Sequence, residues 1–501
     1  MKERAWHDLQ GRMAELRDLG AIVGLLTWDQ ETYMPAGGGV DRARQLAALH
    51  SLLHERLIDP AVGDALAVLE GETDLGEARR AMVRNLRWER DRAIKVPSRL
   101  VRELATAQSE AVEGWRKARA EGRFALFAPH LTRLLALRRE QADAIGHGGE
   151  RYDALLDGFE PGMRVARLEP LFDQLRKELG PILQRLVEAA GPKRWEHERH
   201  SFPADRQWSY TLDLLADLGF DLERGRQDRS THPFTSSAGR GDVRLTTRIA
   251  EDNLLSAVFG TIHEGGHGLY EQNLPAEHML NPIGTAASMG LHESQSRLWE
   301  NLIGRSLPFW QNQLPKLRTY FPEQLEGVGV QEVYAAVNRV SRSQIRVEAD
   351  EVSYNLHILL RFQLELALLR DELPVDDLPG AWSDLAQELI GARPVDDRDG
   401  VLQDIHWAWG EFGYFPTYAL GNLYSATIHE KLGQDLGDLD EVVRSGGLTQ
   451  IRDWLAARIH HKGRLCDAEE IVLQATGTGL SCEPFLRYLR GKYSGLYDVA
   501  I

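Results

Sequence analysis

The stretch richest in chemistry is "TIHEGGHGLYEQ", residues 261 to 272, which sets His263 and His267 four residues apart with Glu264 directly after the first. On a helix, positions i and i+4 share a face, so both imidazoles can reach one cation while Glu264, rotated aside, reaches a water held by it. Two neutral nitrogen ligands and a base are what hydrolysis by a metal-activated water requires. Gly265 and Gly266 each cost a helix about 1 kcal/mol relative to alanine. Their presence predicts that another group approaches this backbone too closely for a Cβ. The bland alternative is a buried helix with two hydrogen-bonded histidines.

A catalytic zinc usually takes three protein ligands and keeps one position open. The run "ASMGLHESQSRLWENLIG" (287 to 304) has helical spacing through Leu291, Leu298 and Leu302 and offers His292 and Glu293. Glu293 is taken as the third ligand; His292 is its competitor, since adjacent helix residues point about 100° apart and cannot easily both bind. The expected ion is zinc, although this donor set also accepts cobalt or manganese. "EGGH" also has the Glu-x-x-His spacing of di-iron bundles, but those need a second copy. No other histidine of the chain has a glutamate three residues before it.

The elements that must position these groups read as helices. Asp252 and Asn253 can cap a helix whose apolar stripe runs Leu255, Val258, Phe259, Ile262 and Leu269. Spacings of three and four recur over 40 to 57, 167 to 190, 353 to 373 and 448 to 463. The exception is "GDVRLTTR" (241 to 248), where Val243 and Leu245 alternate with polar neighbours behind a glycine-rich turn and predict a short strand. Asp242, Arg244 and Thr246 would share one face of it, and an extended peptide could add to its edge. No repeat or long linker interrupts the chain. A mainly α protein is expected, as a single catalytic domain over 1–501 with a helical part to about residue 200 and the metal-site helices beyond it.

Composition narrows the function classes. The 501 residues carry 59 Lys+Arg against 75 Asp+Glu, a formal charge of -16, which argues against nucleic acid as a partner. No apolar run reaches the roughly 18 residues of a membrane span, and the charged start "MKERAWHDLQ" has no secretory core. With only 2 Cys, Cys466 and Cys482, a disulfide framework is not expected, and a cytoplasmic location is.

Recognising an anionic substrate group would also need a guanidinium, and a tetrahedral intermediate would need donors for its oxyanion. Arg346 is the first candidate for the former and Arg244 the second, each with a structural ion pair, to Glu348 or Asp350 for instance, as the alternative. His406 and Tyr418 are candidate oxyanion donors, and Tyr424 is a reserve contact to substrate. Each could equally be a core group. "LTWDQETYMP" (26 to 35) reads as a helix end packed through Trp28, Tyr33 and Met34.

Taken together, "LTWDQETYMP", "HPFT" (232 to 235), "GDVRLTTR", "HEGGH", "HESQSRLWEN" (292 to 301), "IRVEADEVSYNLHI" (345 to 358), "GVLQDIHW" (400 to 407) and "FPTYALGNLYSA" (415 to 426) resemble the Taq-type zinc metallocarboxypeptidases nearly end to end. Ser353 stands where threonine is expected. The resemblance implies a two-lobed helical molecule with a deep groove, similar to neurolysin and angiotensin-converting enzyme and usually a homodimer. It also implies His263, His267 and Glu293 as ligands, Glu264 as general base, and peptides with a free C-terminus as substrates. The rivals are an oligo-endopeptidase of the same chemistry and a metal-free helical scaffold.

Overall fold

A computed structural model of the chain describes residues 2–146, 148–189 and 200–501. The chain forms two compact units. One gathers Met1–Ile94, Trp195–Val337 and Tyr424–Leu480; the other gathers Lys95–Arg194, Asn338–Leu423 and Ser481–Ile501. The four expected helical runs are present as Gly39–Ile58, Val165–Glu188, Tyr354–Leu369 and Leu448–Arg458. The third, expected over 353 to 373, starts at Tyr354; Arg346–Glu348 ahead of it is a single 3-10 turn, so Arg346 is not on that helix.

In the second unit, Phe362 anchors the core. Tyr152 and Phe172 pack edge-on against its ring at centroid distances of 5.4 and 4.9 Å. In the first unit, the amino-terminal helix Lys2–Thr32 buries Trp6, Leu9 and Met13 together with Val62, Leu66 and Leu86 from later helices.

The expected strand is also there, in a three-stranded sheet. β1 (Gly225–Arg229), β2 (Thr235–Ser237) and β3 (Val243–Thr247) run in the order β1-β3-β2, with β1 parallel and β2 antiparallel to β3. This corrects the idea of an open edge along β3, which is the central strand and has a neighbour on each side. Thr246 is fully buried, and its hydroxyl accepts the Phe234 N–H (2.9 Å) and the Ser230 hydroxyl (2.7 Å). It holds the "HPFT" turn against β3, so its side chain is not presented to a substrate.

The "HEGGH" helix spans Leu254–Gln272, and Asn253 caps it by accepting the Ser256 N–H at 3.0 Å. Beyond its first turn it is buried on every side except one strip, formed by Gly260, His263, His267 and Glu271 at spacings of three and four. The only partly exposed strip of an otherwise enclosed helix therefore carries the two histidines.

The glycines have the predicted cause. A Cβ on Gly266 would lie 2.7 Å from both the Gln295 carbonyl oxygen and the Ser296 Cα, which are backbone atoms of the next site helix, Met289–Arg297. A Cβ on Gly265 would meet Leu215 at 3.0 Å. Backbone cannot yield as a side-chain tip does, so Gly266→Ala must push the two site helices apart. We expect it to lower the stability of the metal-free protein by about 1–3 kcal/mol, read as a lower urea midpoint. An unchanged midpoint would contradict the close packing.

Candidate metal centre and active site

The second site helix, Met289–Arg297, is capped by Ser288, whose hydroxyl accepts the Leu291 N–H at 3.0 Å, and it runs into a π-helical segment, Leu298–Ile303. Such wide turns concentrate at functional sites. They carry Glu293, Arg297 and Glu300 on one face.

Glu293 reaches both histidines. Its Oε2 lies 3.3 Å from His267 Nε2 and 3.8 Å from His263 Nε2, and the three atoms all fall within 4.8 Å of one another. Four ligands at roughly 2.1 Å around a tetrahedral ion are spaced by about 3.4 Å, so the cluster fits a divalent cation. Arg297 Nε occupies the other oxygen, Oε1, at 2.7 Å and turns Oε2 toward the imidazoles. His263 Nδ1 sits 2.8 Å from Glu300 Oε2, which fixes the tautomer with Nε2 facing the cluster. Arg305 Nη2 donates to Glu300 Oε1 at 3.1 Å. His292, the competitor, pairs instead with Glu271, Nε2 to Oε1, at 3.0 Å.

The candidate ligands are shifted in different directions: burial works against charge on His263, but Glu293 and Glu300 outweigh it and raise that imidazole. Burial, reinforced by the neighbouring His292 and His263, lowers His267 to about 3 and keeps it neutral. Burial works against charge on Glu293, but Arg297 and the two histidines outweigh it and hold the carboxyl well below its ordinary range. Glu264 is moved the other way, raised chiefly by burial, which makes it a stronger base. Thr235 on β2 donates its hydroxyl to Glu264 Oε2 at 2.6 Å.

A second charged cluster lies in the other unit. Arg346 donates from Nε and Nη2 to Asp404 Oδ1 (3.0 and 2.8 Å) and from Nη1 to the Tyr354 hydroxyl (3.0 Å). Arg361, fully buried over the Trp382 ring, donates from Nε to Asp404 Oδ2 at 2.7 Å. Two guanidiniums thus share one carboxylate, and among the described residues no second carboxylate bonds to either. One buried positive charge is left over. The Arg346 partner is Asp404, not the sequence neighbours Glu348 or Asp350.

His406 Nε2 lies 3.1 Å from the Tyr418 hydroxyl, while its Nδ1 is buried with no partner among the described residues. An orphaned buried N–H is costlier than an orphaned lone pair. The proton therefore belongs on Nε2, donated to the Tyr418 hydroxyl oxygen. Arg244 is paired one to one with Asp242 at 2.7 and 2.9 Å, over the Trp28 ring at 4.3 Å. Tyr424 is buried within the helix Pro416–Leu436.

The sequence reading missed Glu300, Thr235 and Asp404. Glu300 had a signal, lying two turns beyond Glu293 with Arg297 between. The other two stand inside "HPFT" and "GVLQDIHW" with no spacing that reveals what they touch.

Comparison with known proteins agrees with this geometry. The family described as Carboxypeptidase Taq (M32) metallopeptidase matches residues 8–493. The chain is 45% identical to Thermostable carboxypeptidase 1 of Thermus thermophilus over 508 residues, 99% of each chain, and 36% identical to Carboxypeptidase 1 of Bacillus subtilis, over 99% of this chain and 98% of that one. The crystal structure of the M32 carboxypeptidase from Deinococcus radiodurans R1 superposes with a TM-score of 0.96 at 38% identity, covering 99% of this chain and 100% of that one. A helical fold with two histidines and a glutamate spaced for a cation, beside a buried carboxylate, fits the metallopeptidase class that these comparisons show. The chain belongs to the M32, or Taq-type, family of metallocarboxypeptidases, and it is a peptide hydrolase.

Two outcomes test the site's electrostatics. Glu300→Gln removes the carboxylate behind His263 and should weaken zinc or cobalt binding about 10- to 100-fold in a chelator competition; unchanged affinity would contradict the role of that bond. His406 is lowered from its ordinary 6.5 to about 3, first by burial and then by the two arginines. An imidazole kept neutral in this way stabilises the fold above pH 6.5, and that contribution is lost as pH falls toward 3. The urea midpoint of the wild type should therefore drop more steeply between pH 7 and 4 than that of His406→Gln. Parallel pH profiles would contradict the neutral, buried assignment.

Proposed function

We propose that His263, His267 and Glu293 hold a single divalent ion, zinc by preference with cobalt or manganese acceptable, and that the enzyme removes single residues of broad type from peptide C-termini. Bound there, such an ion supplies positive charge that polarises a peptide carbonyl and acidifies water. The single observation that carries this reading is Glu264, a buried carboxylate of raised basicity one residue from a cluster spaced for a cation. Glu264 takes a proton from the attacking water as its oxygen bonds to the carbonyl carbon. When the C–N bond breaks, Glu264 returns that proton to the leaving amine.

Arg346 is assigned to the terminal carboxylate, because its cluster has one positive charge more than Asp404 neutralises. Arg244, already matched by Asp242, is the second choice. Tyr418, oriented by His406, is assigned as oxyanion donor, with Tyr424 in reserve. Residues 1–501 are taken as one catalytic domain. A cytoplasmic location is supported by two buried free thiols, Cys466 and Cys482. Among the described residues no helix is long and apolar enough to cross a membrane. A homodimer is part of the proposal on the strength of the resemblance alone.

Glu264→Gln should keep one divalent ion per chain and lose about a hundredfold to ten-thousandfold in kcat. Amidating the substrate's C-terminus should abolish most wild-type activity, whereas an oligo-endopeptidase would cut amidated and free peptides alike. Near-normal turnover by the Glu264→Gln enzyme would remove Glu264 from the role of base.

A further inference from the structure

The two candidate ligand histidines are held differently. His263 has the Glu300 carboxylate behind its Nδ1, but His267 Nδ1 is buried and has no hydrogen-bond partner among the described residues. A metal-binding imidazole usually has its plane fixed by a bond from the second nitrogen. Without one, the final torsion of a histidine side chain lies in a broad, roughly two-fold well, and packing must select the orientation.

The one ring stacked face to face on His267 among the described residues is that of His292. The His292 ring lies flat against His267, with centroids 4.5 Å apart and planes 26° from parallel, while His263 meets it edge-on at 5.0 Å. His292 is itself fixed by the 3.0 Å contact of its Nε2 with Glu271 Oε1, and Glu271 stands one turn beyond His267 on the same helix. The column continues. Tyr270 packs against His292 at 5.4 Å and His460 against Tyr270 at 4.9 Å, and His460 Nε2 lies 2.9 Å from Gln295 Oε1 on the second site helix. Rings from both site helices therefore stack behind a nitrogen that has no bond of its own.

We propose that His292, clamped by Glu271, is a positioning residue that sets the plane of the His267 imidazole by stacking, in place of the missing hydrogen bond. The inference rests on the reading of His267 as a ligand. It assigns His292 a task in metal affinity separate from binding the ion.

The test separates the ring from the ion pair. His292→Gln keeps a polar partner for Glu271 but removes the flat face. The double variant His292→Phe with Glu271→Gln keeps a face and removes the pair without leaving a lone buried carboxylate. Zinc and cobalt(II) affinities are measured by competition with a chromogenic chelator, together with the visible spectrum of the cobalt form. His292→Gln should bind about 10- to 100-fold more weakly with an altered cobalt spectrum, and the double variant should stay within about threefold of wild type. Wild-type affinity and spectrum in His292→Gln would overturn the proposal, as would a double variant that is also weak. Should His292→Gln fail to fold, the double variant still decides. A wild-type chain that binds neither ion would overturn the ligand reading itself, a separate result.

Discussion

The close approach of two helix backbones at Gly266 is the constraint from which the site follows. Only a residue without a Cβ lets the Gln295 carbonyl and the Ser296 Cα come within 2.7 Å of where that atom would stand. This contact brings Glu293, on one helix, to within 3.8 Å of His263 and 3.3 Å of His267 on the other. The helical propensity lost at two glycines is the cost of a spacing that side-chain contact alone would not permit.

Charge is handled differently in the two units. Around the histidines, three cationic or ionisable partners surround Glu293, and Glu300 is braced by His263, Arg297 and Arg305. Both carboxyls are held ionised despite burial, which prepares the cluster for a cation. Around Asp404 the balance is reversed, with two guanidiniums on one carboxylate. Burying an unmatched charge is expensive, and this excess is the ground for the proposal that Arg346 meets a substrate carboxylate.

Much of this was legible in the sequence, and for physical reasons. Helical periodicity reports which face is buried, so the helices were recovered, as was the strand at 241–248. The His263–His267 spacing is local and survives any tertiary arrangement. What escaped notice depends on contacts between distant segments. That β3 is central and not an edge follows from β1 and β2 flanking it, which no alternation pattern within β3 can reveal. The Arg346 partner lies 58 residues away at Asp404, and the nearer Glu348 and Asp350 were natural but mistaken guesses. Glu300 stands at ordinary helical spacing from Glu293, but its contact with His263, 37 residues away, is not visible in that spacing.

The central claim is that two imidazoles and one carboxylate oxygen enclose a single cation. Anomalous diffraction at the cobalt edge, from crystals soaked in cobalt(II), addresses it directly. The account predicts one strong peak per chain about 2 Å from His263 Nε2, His267 Nε2 and Glu293 Oε2. A peak bonded elsewhere, with these three atoms outside its coordination sphere, would contradict it.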